Sequence, residues 1–205
     1  MRLTICGFEV DHQINSRLKH AYLRVGDDGL VQLRSSNLPL SDIEQFISSK
    51  QSWILKEIQK IEAKPTITIA KNILLFANML NLDQVRDTSS LESRKDYDRY
   101  YAHTAQNYVK ARVELFAKQM NLSYSQIKFR KMKRRWGSCS SHAVLSFNTL
   151  IVQLDKELID YIVVHELSHL VHFNHSKEFH LFVRSHLTQE ASLRAKLKEI
   201  SCILY

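Results

Sequence analysis

Tyr161-Ile-Val-Val-His-Glu-Leu-Ser-His-Leu170 sets His165, Glu166 and His169 in an HExxH pattern within an apolar, helix-favouring stretch, and His175 follows six residues later. On a helix, residues four apart stack on one face about 6 Å apart along the axis, so two imidazoles at this spacing can grip one metal ion. Zn²⁺ is the ion such a pair suits. Glu166 projects beside them, where a carboxylate off the metal can take a proton from bound water and pass it to a leaving group. The pattern therefore predicts a zinc hydrolase built around one helix. Asp155 stands at the N-cap position, and residues 156–173 are expected to be helical with Val163, Leu167, Leu170 and Val171 on the buried side.

A catalytic zinc usually takes three protein ligands and keeps one position open. His172 shares the helical face but lies about 10 Å from His165 along the axis, too far to converge with it. His175 reaches the metal if the helix stops and the chain turns back, and Asn174 tolerates the left-handed conformation that such a stop requires. His175 is therefore the expected third ligand. His180, on a helix starting after Ser176 as N-cap, and the carboxylates Glu178 and Glu190 remain as alternatives.

Four separated segments carry a wider likeness: Lys131-Met-Lys-Arg-Arg-Trp-Gly-Ser-Cys-Ser140, Leu145-Ser-Phe-Asn148, Asp160 to His169, and Asn174-His-Ser-Lys-Glu-Phe179. In order and spacing they resemble the YgjP-like metallopeptidase family, which is related to the SprT and WLM metalloproteases. Arg17 to Val25 and Lys50 to Leu55 extend the likeness into the first part of the chain. The resemblance implies His165, His169 and His175 as zinc ligands, Glu166 as catalytic base, and a zincin-like catalytic domain. Two positions depart from the family pattern: His180 stands where relatives carry Trp, and Leu154 where they carry Pro.

The 205 residues suffice for a catalytic domain plus a small partner. The expected class is α+β, with a β-rich subdomain over 1–92 carrying one helix and the catalytic domain over 93–205. Within the first, strands are expected at 21–25 and 30–33 around a Gly26–Gly29 turn. A helix over 41–63 follows, with Trp53 in its core and Pro65 as its stop, and then strands at 66–70 and 73–77. Residues 83–93 are polar and form the expected boundary. Beyond it come a long helix over 94–121, with Tyr97, Tyr101, Ala105, Tyr108, Val109, Val113 and Phe116 inward, and strands at 127–135 and 144–148.

The link between those strands, Trp136 to His142, has a structural reading and a functional one. Gly137 permits a tight turn and Trp136 packs on the catalytic helix, while the neighbouring edge strand and Ser138 receive an extended peptide. Tyr161, His142 and Arg135 are the candidate oxyanion donors. Cys139 beside a histidine also raises a thiol nucleophile, which nothing in the sequence supports.

No run of about 18 apolar residues is present, and charge returns by Glu9 before any signal-peptide core forms, so a cytoplasmic protein without a membrane span is expected. Cys6, Cys139 and Cys202 are odd in number and far apart, which fits reduced thiols. The net charge of +8 and the basic run over 128–135 suit an acidic partner, nucleic acid among them, although no recognised nucleic-acid signature accompanies the run. The resemblance also leaves two other activities to weigh against peptide hydrolysis: pyrophosphate release from UTP, and a DNA-associated protease as in the SprT relatives.

Overall fold

The computed structural model describes residues 1–26, 28–63, 66–88 and 91–200. Pro65, expected as a helix stop, Asp27 of the expected turn, and Cys202 lie outside the described residues. The fold is α+β and divides into two compact units, Met1–Lys64 and Pro65–Tyr205.

In the first unit, strands β1 (Arg2–Ile5), β2 (Phe8–Ile14), β3 (Tyr22–Val25) and β4 (Val31–Ser35) form one sheet in the order β1-β2-β4-β3. β1 and β2 are an antiparallel hairpin whose two turn residues, Cys6 and Gly7, both have positive φ, as the twist-matched two-residue turn requires. β2 and β4 are parallel, so the strands are not a simple meander. Helices α1 (Leu40–Ser49) and α2 (Gln51–Glu62) stand where one helix was expected. Lys50, with φ −105° and ψ 4°, breaks the run. Ile43, Ile47 and Ile54 then face the core with Val10, Val31 and Leu33, while Trp53 turns outward and is 41 % exposed. Trp53 is thus not the core residue expected, because it stands about 100° around the helix from Ile54.

The second unit begins earlier than the polar stretch 83–93 suggests. β5 (Asn72–Leu75) and β6 (Asn78–Asn81) form a hairpin, and residues 66–70 are not a strand. Backbone hydrogen bonds from Phe76 and Ala77 to the carbonyls of Val152 and Gln153 (2.7 and 3.0 Å) bind this hairpin to the catalytic half. Helix α3 (Arg94–Gln119) adds the Tyr97 and Tyr101 hydroxyls, which donate to the carbonyls of Asn72 and Leu74 at 2.9 and 3.1 Å. Each tyrosine therefore fills the core with its ring and satisfies a strand with its tip.

Strands β7 (Gln126–Arg130), β8 (Gly137–Cys139) and β9 (Val144–Asn148) form a sheet in the order β7-β9-β8, with β8 at its edge. β7 stops five residues short of the expected end. The cause is Asn148, fully buried, whose side chain accepts from the Met132 N–H (3.3 Å) and donates to the carbonyls of Met132 (2.7 Å) and Arg135 (3.1 Å), drawing 131–136 off the sheet.

Helix α4 (Lys156–Ser168) starts at Asp155, whose carboxylate accepts from the Leu158 N–H at 2.8 Å. It is fixed to α3 by Arg112, which donates two hydrogen bonds, of 2.6 and 2.7 Å, to the Asp160 carboxylate. Val163 and Leu167 are buried, whereas Val171 lies past the helix end and is exposed. Helices α5 (Lys177–His186) and α6 (Glu190–Glu199) complete the unit, α5 being capped by Ser176 as expected. Among the described residues, no helix is long and apolar enough to cross a membrane.

Candidate metal centre and its cleft

α4 ends at Ser168, five residues sooner than its composition suggests, and His169 is its C-cap. The chain turns back through 169–175 with no left-handed residue at Asn174. The turn nonetheless brings the three histidines together. Side-chain donor atoms of His165, His169 and His175 all lie within 4.8 Å of one another, and Nε2 of His165 and Nε2 of His175 are 3.0 Å apart. Among the described residues this is the one group of three or more His, Cys, Asp or Glu side chains close enough to hold a metal ion.

Neighbouring contacts orient the imidazoles. Nδ1 of His169 lies 3.0 Å from the His172 carbonyl, which can only accept, so Nδ1 carries the proton and Nε2 keeps its lone pair. His172 thus contributes its backbone, while its own ring packs on Phe182. Phe179, buried on α5, touches all three rings, with centroids 4.6 to 4.9 Å away. Burial pushes His165 down to about 3, with help from the neighbouring His169, His175 and His180, and burial also lowers His175, so both are neutral at physiological pH. Neutral imidazole is the ligating form.

The alternatives to His175 have other occupations. Glu190 is fully buried and takes His180 Nδ1 (3.1 Å), Arg194 Nε (3.4 Å) and Arg184 Nη2 (3.4 Å). Glu178 is exposed at the start of α5, its carboxyl held low by the Ser176 hydroxyl. His180 stacks beside His175 with centroids 6.3 Å apart, its ring nitrogens turned to Glu190 and Arg194.

Glu166 is 6 % exposed, and burial raises its carboxyl to about 8, against the lowering pull of Arg135. A cation at the histidines would favour its charged form. Its carboxylate rests against Gly137: a Cβ on that residue would lie 2.6 Å from Glu166 Oε1 and 2.7 Å from Cγ. Gly137 is a strand residue without positive φ, so its value is the missing side chain rather than turn freedom.

A cleft of about 480 Å³ opens beside the histidines, lined by Arg135, Trp136, Gly137 and Tyr161 together with residues of α5 and α6. A second depression of about 370 Å³ shares Arg135, Gly137, His165, Glu166 and His175 and adds Ser138, Cys139, His169 and Phe173. Tyr161 is 3 % exposed, and burial pushes its hydroxyl up to about 12, so it remains an O–H donor. His142 is exposed in the β8–β9 turn and lines neither depression. Cys139 has its thiol raised by burial and by Glu166, the opposite of what a thiolate nucleophile needs.

The basic residues of the run 128–135 are all exposed. Lys128 and Arg130 are exposed on β7, Lys131 pairs with Asp98 at 2.7 Å, and Arg135 lines both depressions. Sequence reading missed Asn148 as the staple of this loop, and missed Arg194 and Lys198 of α6 in the cleft, since their roles depend on contacts distant in sequence.

Two solved structures match part of the chain. The metallopeptidase zymogen jannalysin of Methanocaldococcus jannaschii is 26 % identical, with 44 % of this chain and 94 % of that chain covered and a TM-score of 0.40. The metallopeptidase zymogen abylysin of Pyrococcus abyssi is 19 % identical, with 43 % and 90 % covered and a TM-score of 0.40. No curated protein matches the chain. The sequence model of the YgjP-like metallopeptidase domain matches residues 67–200, a stretch that takes in the tyrosine-bound hairpin, the loop stapled by Asn148 and the whole histidine cluster. The chain therefore belongs to the YgjP-like metallopeptidase family.

Proposed function

We propose that the protein is a zinc-dependent peptidase in which His165, His169 and His175 hold the metal and Glu166 is the general base. The observation that carries this reading is the convergence of three imidazoles beside one buried carboxylate. The donor set fits the ion: tetrahedral ligands at about 2.0–2.1 Å stand roughly 3.3 Å apart, within the spread of these nitrogens, and all-imidazole donors suit Zn²⁺. When bound, the ion supplies a Lewis acid and lowers the pKa of water toward 7.

The chain's own groups do the rest. Glu166, held in place by the bare backbone of Gly137, accepts the proton of the attacking water and passes it to the leaving amine. Tyr161 and Arg135 line the cleft and can donate to the carbonyl oxygen as negative charge develops on it. The edge strand β8 offers its backbone to an extended peptide, which supports a peptide or protein substrate. Its zincin-like character follows from the HExxH helix lying under that strand. The unpaired thiols of Cys6 and Cys139 support the cytoplasm as its compartment.

Glu166→Gln tests the assignment. It should retain the metal and the fold while peptide hydrolysis falls by at least about 100-fold, at the lower end of a general base's contribution. Wild type and variant are compared on a peptide library and on UTP. Glu166-dependent pyrophosphate release without peptide cleavage would replace this reading, and loss of metal in Glu166→Gln would make Glu166 a ligand.

A further inference from the structure

The 480 Å³ cleft has a charge bias that hydrolysis itself does not require. Among its described lining residues Glu166 is the one carboxylate, against three cationic side chains, Arg135, Arg194 and Lys198. Arg194 and Lys198 are four residues apart on α6, so they stack on one helix face about 6 Å apart along the axis. Arg194 is fixed from behind. Its Nε lies 3.4 Å from Glu190 Oε1, and its Nη1 lies 3.0 Å from His180 Nε2. Glu190 does not cancel it, because the same carboxylate also takes Arg184 at 3.4 Å, so one negative charge is shared by two guanidiniums. Arg194 is still 40 % exposed at its side chain, and Lys198 is exposed. Trp136, Ile162 and Leu197 give the cleft apolar walls.

An apolar slot with a pre-set guanidinium and an ammonium is complementary to a short chain ending in a carboxylate, and it disfavours cations. His165 and Glu166 line the same cleft, so a group held there belongs to a residue next to the bond being cleaved. We propose that this cleft is a substrate subsite for a carboxylate adjacent to the scissile bond, with Arg194 and Lys198 as its recognition groups. The carboxylate is an Asp or Glu side chain or the C-terminus of the peptide. The proposal rests on the peptidase reading above.

The test uses the zinc-loaded protein and peptides that differ only by Glu or Gln at each of three positions on either side of the cleaved bond, each made as free acid and as C-terminal amide. One position should favour Glu over Gln by about tenfold in kcat/KM, the order a charge-assisted hydrogen bond supplies. A free acid favoured over its amide by a similar factor, with cleavage near the end, assigns the carboxylate to the C-terminus instead. Lys198→Glu, on an exposed helix position, should bring the ratio to about one or invert it, and Lys198→Arg should keep it. Cleavage that depends on Glu166 but treats acid and amide forms alike overturns the subsite and leaves the peptidase reading standing. A ratio unmoved by Lys198→Glu overturns it also. If no peptide is cleaved both readings fall, and Lys198-dependent release of pyrophosphate from UTP would assign these cations to phosphate.

Discussion

Glu166 and Gly137 are 29 residues apart in sequence and in contact in the fold, and that contact sets what each can tolerate. A methyl group at Gly137 overlaps the Glu166 carboxylate and strand backbone cannot easily retreat, so Gly137→Ala should move the base. A displacement of about 1 Å at such a group costs on the order of 10²-fold in rate. The expected result is a kcat reduced by about that factor with metal content unchanged, measured by steady-state kinetics beside metal analysis. The His172 ring makes a contrasting case. His172→Ala keeps the carbonyl that orients His169 and should change zinc affinity by less than about tenfold, whereas His175→Ala removes a donor and should weaken it by at least about 100-fold. Competition with a chromophoric chelator measures both. If His172→Ala strips the metal and His175→Ala leaves it, the ligand assignment is wrong. The helical spacing of His165 and His169 was readable because it is local; the use of His172 through its backbone was not, because it depends on where the helix stops.

At the level of elements, the long-period patterns were legible and their interruptions were not. α3 and the N-caps at Asp155 and Ser176 follow from local chemistry, with Ser93 adding a capping box in which Asp96 accepts from the Ser93 N–H at 2.9 Å. The break at Lys50 and the early end of β7 have no local signal as strong as a proline or glycine. At β7 the decisive residue is Asn148, which sits 16 residues from Met132. Asn148→Ala leaves buried backbone groups of Met132 and Leu150, and the part-buried Arg135 carbonyl, without that partner. It should cost about 2–4 kcal/mol in stability, since each buried polar group left unmet costs about 1–3 kcal/mol and the loop relaxes in part. Denaturant unfolding reads that loss. A cost below about 1 kcal/mol would mean that 131–136 holds its path without the staple.

For the molecule as a whole, the boundary at Lys64–Pro65 separates two hydrophobic cores, and the polar composition of 83–93 misled because a polar stretch can fall within a unit as well as between two. A unit with its own core can unfold in its own transition, and that of the first unit should carry an acid signature. His12 is 2 % exposed in the first unit, with Nε2 2.8 Å from the Ser35 hydroxyl, and its pKa lies below the usual 6.5 because burial, and then the N-terminal ammonium, disfavour the charged ring. Below pH 6.5 the unfolded chain therefore binds more protons at this residue than the folded one, so stability falls as the pH drops from 6.5 toward the folded pKa. Above 6.5 both states hold a neutral ring and this contribution is flat. Calorimetry between pH 7.5 and about 5.5, a range chosen to stay above most carboxylate titration, should show the transition of the first unit moving down with acid. His12→Gln, which cannot take up the proton, should remove most of that movement. If the wild-type transition is level across this range, or moves equally in His12→Gln, the histidine is not the group that couples this unit to pH.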